Sequence, residues 1–340
     1  MSRPRECLLF VLVGRVGDMV MATPALRATL RKHPGAEIHV LTSPDGRRVL
    51  KDFDPRVTEI IVYRRHGLAQ RLRRAQVRRT IEARSYDRVY CMDWRPTYHR
   101  LVAGIGRRAV LMPHDFGQGL PFPEKMLRLV AEGAQPDAAW VSLGVREDAR
   151  ARAREILQRD GIDDKQLVVG LHPSFSGLRK TILRRRGYEH RKAWPSEAWG
   201  ELARRLAAWG QVSGRPLVIM TDLMPEDRAL GESLVQSSGG TVKLFIEPPD
   251  FERYKATLER MDLLVTPDTG PMHVAAAVGT RLVALFQNDP TLCGPFTAPE
   301  RFTILRAEET DGRGLAAISP EAAFEASLGQ LNSETLPGRT

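Results

Sequence analysis

The sequence predicts an α/β protein made of two halves, each built around a doubly wound parallel sheet. Three observations lead to this prediction. Short, continuous apolar runs alternate along the chain with segments of helical spacing, which is typical of buried parallel strands joined by crossover helices. Each half contains an apolar run that passes through a polar, glycine-containing turn into a helix. A chain of 340 residues is also long enough for two domains of ordinary size.

The first half, residues 1–160, begins with an apolar run at Cys7–Val13 that we interpret as a buried strand. Gly14-Arg15-Val16-Gly17-Asp18 follows this run, and Met19–Leu30 then has helical spacing. Further strands are predicted at Ile38–Leu41, Val57–Val62 and Arg88–Met92, and helices at Arg47–Phe53, Gly67–Arg84 and Thr97–Ile105. Pro113–Pro136 is rich in proline and glycine and is expected to form loops around one helix at Glu124–Glu132.

A linking helix at Glu147–Gln158 leads into the second half, residues 161–340, where the alternation resumes. The strands of this half are predicted at Leu167–Leu171, Leu217–Met220, Val242–Phe245, Met261–Val265 and Arg281–Phe286. The fourth of them ends in a turn that contains Pro267, Gly270 and Pro271, and an alanine-rich helix follows. Ser319 before Pro320 predicts the cap of a last helix that runs to about Leu331.

The turn at Asp268–Gly270 has the chemistry of an anion site. A helix that begins there directs free backbone N–H groups and the positive end of its dipole towards one point. Asp268 offers acceptors to hydroxyl groups, Thr269 is a candidate N-cap, and Gly270 lets a ligand approach the backbone closely. These features predict a site for a hydroxylated, phosphorylated ligand, while a cap that only starts a helix has the same local pattern. His273, among alanines, fits either a ligand contact or a hydrogen-bonded core residue.

Composition and charge narrow the class of partner. A hydrophobic content of 42% with 27% charged residues is typical of a soluble globular protein. The net charge of +10 and the sequence pI near 9.9 indicate an anionic partner, such as nucleic acid, phospholipid headgroups or a phosphorylated substrate. Aromatic residues make up only 6% of the chain, and the arginine-rich stretch Arg64–Arg79 lacks interleaved aromatic side chains. Nucleic acid is therefore not expected as a partner, and a basic nucleic-acid-binding protein is kept as the alternative from a different class.

No metal, disulfide or dinucleotide site is predicted. Cys7, Cys91 and Cys293 are scattered without paired spacing, which favours a reducing cytoplasm. Asp52-Phe53-Asp54 has the spacing of a metal-binding Asp-x-Asp pair, but it precedes Pro55 at a helix end and is interpreted as a turn. The Gly-x-x-Gly-Asp pattern that ends at Asp18 differs from the Gly-x-Gly-x-x-Gly fingerprint of NAD enzymes. No apolar run approaches the roughly 20 residues of a membrane span, so any membrane contact is expected to be peripheral.

Three ordered motifs resemble the ADP-heptose:lipopolysaccharide heptosyltransferases, glycosyltransferase family nine. They are Gly17-Asp18 followed by Thr23-Pro24-Ala25-Leu26, then Lys192-Ala193-Trp194-Pro195, and finally Asp268-Thr269-Gly270 with His273 and Ala275-Ala276. The resemblance covers most of the chain. It implies the GT-B architecture, in which two Rossmann-like domains face each other across a ligand cleft, the first binding the acceptor and the second binding the nucleotide sugar.

The resemblance implies an inverting, metal-independent glycosyltransferase without a cofactor, which transfers a heptose from ADP-heptose to a lipopolysaccharide inner-core acceptor. Two alternatives remain close to this interpretation: the same reaction with another nucleotide sugar, and a sugar-nucleotide epimerase of GT-B shape. The implied partners are the nucleotide-sugar donor, a phosphorylated glycolipid acceptor and an anionic membrane surface. The implied location is the cytoplasm, with contact to the inner face of the cytoplasmic membrane.

The resemblance also implies roles for individual residues. Asp18 would be the general base that takes the proton of the acceptor hydroxyl, and a plain helix-capping role is the alternative. Lys192 would bind the donor diphosphate and stabilise the charge on the leaving group. Ser174 and Ser176 lie where the family places small hydroxylated phosphate contacts, and ordinary loop serines are the alternative. Glu226 or Asp227 would accept hydrogen bonds from ribose. The remaining donor contacts implied are Asp268, Thr269, Gly270 and His273.

Two basic segments are candidates for anion contacts. The segment between Ser176 and Trp194 is longer than the family pattern, and we expect either a solvated surface or a mobile anion-binding flap. Its basic residues are Arg179, Lys180, Arg184, Arg185, Arg186, Arg191 and Lys192. In the helix predicted at Gly67–Arg84, Leu68, Leu72 and Ala75 share an apolar face. Arg71, Arg74 and Arg78 are predicted to project outward from this helix and bind the phosphorylated acceptor, with a plain solvated surface as the alternative.

Overall fold

The protein consists of two compact units, Met1–Leu143 and Gly144–Thr340, each with one parallel sheet. We analysed a computed structural model, which describes residues 5–65, 69–134, 139–175, 190–307 and 312–333. The predicted fold class, α/β with two doubly wound parallel sheets, is confirmed. Among the helices of these described ranges, none combines the length and hydropathy that a membrane crossing requires.

The first unit has five parallel strands in the order β3-β2-β1-β4-β5. The strands are β1 (Cys7–Leu12), β2 (Glu37–Thr42), β3 (Val57–Val62), β4 (Arg88–Cys91) and β5 (Arg108–Leu111). The helices are α1 (Val16–Lys32), α2 (Pro44–Val49), α3 (Gln70–Glu82), α4 (Pro96–Val102) and α5 (Phe122–Ala131). Strand β1 lies in the centre and is buried from Leu8 onward, as expected for a strand covered by helices on both sheet faces.

The second unit has six parallel strands in the order β11-β10-β9-β6-β7-β8. The strands are β6 (Leu167–Leu171), β7 (Leu217–Asp222), β8 (Val242–Phe245), β9 (Leu263–Pro267), β10 (Arg281–Phe286) and β11 (Phe302–Arg306). The helices are α6 (Glu147–Arg159), α7 (Ser196–Val212), α8 (Arg228–Ser237), α9 (Phe251–Arg260), α10 (Gly270–Val278) and α11 (Pro320–Asn332). The strand order reverses between β1 and β4 in the first sheet and between β6 and β9 in the second. In open parallel sheets, ligands bind beyond the carboxyl ends of the strands at these switch points.

The structure divides the chain before α6, whereas the sequence analysis placed the boundary between residues 160 and 161. Helix α6 packs on α9 of the second unit through small side chains, with Ala149 and Ala153 against Ala256. The guanidinium Nε of Arg150 donates to Glu259 Oε2 at 2.7 Å across the same pair of helices. The alanine face lets the two helices approach closely, which joins α6 to the second unit.

Two strands, β5 and β11, have no counterpart among the predicted elements. Both lie at the edge of their sheet, and none of their residues is fully buried. An edge strand is covered on fewer sides than a central one and needs fewer apolar residues. The sequences Arg-Ala-Val-Leu and Phe-Thr-Ile-Leu-Arg therefore lack the long apolar run that marks the central strands.

The predicted apolar face of helix α3 is wrong. Its buried residues are Val77 and Ile81, which lie one turn apart and join the core of the first unit. Leu72 is 76% exposed and Ala75 is also exposed, while Leu68 lies outside the described residues. The β-branched side chains further along the helix reach the sheet, so the helix is rotated relative to the predicted orientation.

Candidate active site

Asp18 lies at the switch point of the first sheet, in the first turn of α1 and just beyond the carboxyl end of β1. Its Oδ2 accepts the backbone N–H of Arg15 at 2.7 Å. The side chain is half-buried and rests against Gly14, where a Cβ atom would clash with the Asp18 side chain. The glycine therefore allows the carboxylate to lie over the end of the strand.

Two arginines that the sequence analysis did not select lie at the same edge of the first sheet. Arg65 follows β3 and Arg95 follows β4, and each donates to the carbonyl oxygen of Val13 at 3.2 Å. Hydrogen bonding to Asp93 raises the pKa of the Arg95 guanidinium, and the charge of Asp18 contributes less strongly in the same direction. The carboxylate of Asp18 therefore has cationic neighbours, an arrangement that favours an anionic acceptor.

Lys192 and Asp268 form an ion pair in the second unit, with Nζ and Oδ2 3.1 Å apart and both side chains partly exposed. Lys192 ends a short 3₁₀ helix, and Trp194 two residues later is buried in the core. The indole N–H of Trp194 donates to the carbonyl oxygen of Ile318 at 2.9 Å, and its ring contacts that of Trp199 edge to face. The tryptophan thus anchors the backbone that carries the lysine, which gives the Lys-x-Trp-Pro pattern a physical reason.

Thr269 occupies the N-cap position of α10, but its side chain does not cap the helix. The hydroxyl group instead lies 3.2 Å from that of Thr266 in the preceding strand. The first-turn N–H groups of α10 are therefore left without a side-chain cap, and they adjoin Asp268 and Gly270 at the carboxyl end of β9. His273 belongs to the same helix and is only 4% exposed. This geometry suits an anionic group at the start of the helix.

Ser174 and Asp227 come together at the carboxyl ends of β6 and β7. The Ser174 hydroxyl donates to Asp227 Oδ2 at 2.6 Å, and Asp227 remains partly exposed. Of the two carboxylates considered for ribose, Asp227 is therefore the one joined to Ser174, while Glu226 lies beside it on the exposed surface. Ser176 lies outside the described residues. The second sheet thus presents hydroxyl, carboxylate, ammonium and free N–H groups along one edge.

One part of the sequence matches a known protein family. Residues 179–314 match the family model described as glycosyltransferase family 9 (heptosyltransferase). This part of the chain therefore resembles a family 9 glycosyltransferase domain. The match includes Lys192 and the Asp268-Thr269-Gly270 turn, so the resemblance seen in the motifs and the enzyme class are both confirmed. No curated protein matches the sequence.

Solved structures with the same fold extend the comparison over the whole chain. A family 9 glycosyltransferase from Veillonella parvula has a TM-score of 0.77 and 19% identity, and covers 98% of this chain and 99% of its own. Escherichia coli ADP-heptose LPS heptosyltransferase II has a TM-score of 0.72 and 20% identity, with 96% and 98% covered. E. coli heptosyltransferase WaaC with ADP has a TM-score of 0.69 and 17% identity, with 95% and 99% covered. These likenesses confirm the predicted GT-B fold class of this chain.

The basic segment before the Lys192 motif is described only at its end. Arg179, Lys180, Arg184, Arg185 and Arg186 lie outside the described residues. Arg191 is described, and Gly314 lies directly against its backbone, where a Cβ atom would clash. The backbone just before Lys192 is therefore held close to the residues that precede helix α11.

The three arginines of helix α3 differ in their surroundings. Arg71 is exposed and Arg74 is half-buried. Arg78 donates to the carbonyl oxygens of Leu101 and Ala103 at 2.8 and 2.7 Å, and its Nε donates to Glu82. The prediction that all three project outward is therefore wrong for Arg78. Its guanidinium instead binds carbonyl groups at the carboxyl end of α4.

Neither metal-like pattern of the first unit lies near Asp18. Asp52–Asp54 forms a turn, as predicted, and hydrogen bonding to Arg56 lowers the pKa of the Asp54 carboxyl. The candidate ligand atoms of Cys7, Glu37 and His39 lie within 4.8 Å of one another at the amino ends of β1 and β2. Sequence spacing misses this group because the register of the two strands creates it. Burial, with Glu37 as the second cause, raises the pKa of the Cys7 thiol to about 12, so the thiol keeps its proton at neutral pH.

His172 follows β6 and is electrically neutral at pH 7. Its backbone N–H donates to the carbonyl oxygen of Val265 at 2.9 Å, which fixes it between β6 and β9. Desolvation lowers the pKa of its imidazole to about 4. The imidazole therefore does not supply positive charge to a phosphate at neutral pH, whereas the ammonium of Lys192 does.

We expect His172 to make the protein less stable in mild acid. An unfolded histidine takes up a proton near pH 6.5, whereas folded His172 does so only near pH 4, so stability falls as the pH drops through this window. The contribution reaches about 3 kcal/mol below pH 4. Calorimetry of His172→Gln between pH 7 and 4 should show a flatter decrease in Tm. The matched variant His114→Gln, at an exposed position, should keep the wild-type slope, and an unchanged slope in His172→Gln would contradict the prediction.

Proposed function

We propose that the protein transfers a heptose from ADP-heptose to a phosphorylated lipopolysaccharide inner-core acceptor, with inversion at the sugar carbon and without a metal ion. The observation that carries this proposal is the Lys192–Asp268 ion pair beside the uncapped start of α10, within the segment that matches the family model. One structural neighbour is an ADP-heptose LPS heptosyltransferase and another was solved with ADP, which supports an adenine nucleotide as the donor group.

The donor site follows from the order of polar groups along the second sheet. The ammonium of Lys192 and the first-turn N–H groups of α10 suit the diphosphate, because both present positive charge to it. The Ser174–Asp227 pair lies towards β7 and offers oxygen acceptors to ribose hydroxyls. Neutral His172 adjoins this region without adding charge. The hydroxyl groups of a nucleoside are therefore complementary to the Ser174–Asp227 pair, and a charged diphosphate is complementary to Lys192 and the start of α10.

Asp18 supplies the base in this proposal. Its carboxylate takes the proton from the acceptor hydroxyl as the oxygen bonds to the anomeric carbon from the face opposite the diphosphate. The bond between that carbon and the diphosphate oxygen breaks, and ADP leaves with the electron pair. Lys192 and the N–H groups of α10 stabilise the charge that develops on the leaving oxygen. Arg65 and Arg95 keep the surroundings of Asp18 cationic, which suits a phosphorylated acceptor.

A direct test compares nucleotides and acceptors. Calorimetric titration should show selective binding of ADP over UDP, GDP and a short oligonucleotide, each measured at two salt concentrations. Turnover should then require ADP-heptose and a phosphorylated inner-core acceptor, with ADP release as the readout. Selective binding of another nucleotide would be consistent with a family 9 reaction but would reject ADP-heptose as the donor. Preferential oligonucleotide binding would overturn the proposal.

The acceptor is proposed to lie at the inner face of the cytoplasmic membrane, where Arg71 and Arg74 of α3 would contact it peripherally. We expect Arg71→Gln with Arg74→Gln to raise the KM for a lipid-linked acceptor and flatten its dependence on salt. Each basic residue near an anionic surface contributes about 1 kcal/mol, within a Debye length of about 8 Å. Steady-state kinetics on anionic vesicles would measure both effects, and the affinity for ADP should stay unchanged.

Arg78→Gln serves as the matched variant on the same helix. Because Arg78 bonds to the carbonyl oxygens of Leu101 and Ala103, its loss should lower Tm and leave the salt dependence of the acceptor KM close to wild type. If the acceptor KM depends on salt identically in the wild type and in the Arg71/Arg74 variant, the helix is a plain solvated surface and does not bind the acceptor.

A further inference from the structure

Gln287 is the first residue after β10, at the carboxyl edge of the second sheet. In the parallel pairing of β9 with β10, Leu285 lies opposite Pro267, and the N–H of Asp268 donates to the carbonyl oxygen of Leu285 at 3.2 Å. Two residues further along each segment, Gln287 is level with Thr269, which precedes α10. Gln287 therefore follows the strand next to the Asp268–Gly270 turn, at the same edge of the sheet and on the side away from β6.

The side chain of Gln287 is buried but has no hydrogen-bond partner. It is 9% exposed, and within the described ranges neither Oε1 nor Nε2 bonds to another protein atom. A carboxamide can donate two hydrogen bonds and accept two, so this burial is unfavourable unless a ligand or water completes the bonding. The other buried glutamine of the unit, Gln330, differs in this respect, since its Nε2 donates to Thr303 Oγ1 at 3.1 Å.

The order of the strands places Gln287 at one end of a row of polar groups. Asp227 follows β7, Ser174 follows β6, Asp268 and Thr269 follow β9, and Gln287 follows β10. Adjacent strands lie about 4.8 Å apart, so the row is as long as an extended nucleotide sugar. A donor with its ribose at Asp227 and its diphosphate at the start of α10 has its sugar at the level of β10.

We propose that Gln287 is a specificity-determining residue that binds hydroxyl groups of the donor sugar through its side-chain amide. The inference rests on the proposed function and deepens it. A sugar hydroxyl both donates and accepts hydrogen bonds, and so does a carboxamide, whereas the phosphates need the cationic groups at β9. A buried amide that must be bonded discriminates against any sugar that leaves it unpaired. Gln287 therefore contributes to the choice of sugar and leaves nucleotide affinity unaffected.

The test separates sugar binding from nucleotide binding. Gln287→Leu keeps the approximate size of the side chain and removes its hydrogen bonds. Calorimetric titration should show an unchanged Kd for ADP and a Kd for ADP-heptose that is raised roughly 5- to 30-fold. Thermal unfolding should show a Tm equal to or above that of the wild type, because no internal hydrogen bond is lost. Gln330→Leu, which does lose one, should lower Tm without changing the ratio of the two Kd values.

Two results would overturn the proposal: an equal loss of affinity for ADP and ADP-heptose, or no change in either. If Gln287→Leu fails to fold, Gln287→Met provides the same comparison, because methionine keeps the length of the side chain and removes both the amide donor and the carbonyl acceptor. Parallel titration of the wild type with ADP-glucose separates this proposal from the proposed function. If the wild type binds ADP-glucose more tightly than ADP-heptose, heptose is rejected as the donor sugar. The role of Gln287 is then decided by whether Gln287→Leu raises the Kd for ADP-glucose. A wild type that binds no ADP compound would overturn both.

Discussion

Asp18→Asn should lower kcat by roughly two to four orders of magnitude, while the Kd for ADP stays within about twofold of the wild-type value. The asparagine side chain is nearly isosteric and still accepts the N–H of Arg15, so the start of α1 is preserved. It cannot take the acceptor proton, so only the chemical step loses its base. Single-turnover measurement of ADP release from saturated enzyme would report this step directly.

The control for this substitution is Asp45→Asn. Asp45 also lies in the first turn of a helix of the first unit, α2, but it is partly exposed and pairs with Arg48 on the surface. Its replacement should leave kcat unchanged. If Asp18→Asn instead weakened ADP binding as much as it lowered kcat, or if its Tm fell sharply, Asp18 would be a structural cap and the base would have to be another residue.

Lys192→Ala should weaken ADP binding by roughly 10- to 100-fold and lower kcat further, because the diphosphate is charged in the ground state and more so as it leaves. The ion pair makes the effect larger than the loss of one cation. Without the ammonium at 3.1 Å, the carboxylate of Asp268 would repel the diphosphate. Titration with ADP and steady-state kinetics would measure the two losses separately.

A double-mutant cycle with Asp268→Asn tests the origin of this effect. If repulsion contributes, Lys192→Ala should cost less affinity for ADP in the Asp268→Asn background than in the wild type. Lys243→Ala is a suitable control, because Lys243 is an exposed lysine of the same unit that donates to the carbonyl oxygen of Asp160. Wild-type kinetics in Lys192→Ala would show that the Lys-x-Trp-Pro motif does not mark the donor site.

The sequence alone determined the fold class and the main points of the candidate site. Central strands such as β1 and β9 are buried on both faces, so their composition must be continuously apolar, and this pattern is visible locally. The Asp268–Gly270 turn was predicted for the same reason, since it lies directly after such a strand and at the start of a helix, whereas Asp18 was selected through the family resemblance. The structure brings Lys192 to Asp268 and Ser174 to Asp227 across gaps in the sequence.

Only the tertiary structure decided the features that depend on neighbours distant in sequence. Helix α3 is oriented by the fit of Val77 and Ile81 against the core, which composition did not reveal. Arg65 and Arg95 meet at Val13 because β3 and β4 end at the same edge of the sheet, and Arg78 is held by the end of another helix. Gln287 looks like an ordinary loop residue in the sequence, and only burial without a partner distinguishes it. The burial of a segment determines its composition and is therefore visible in the local sequence. The pairing of polar groups depends on strand order and register, which no short stretch of sequence contains.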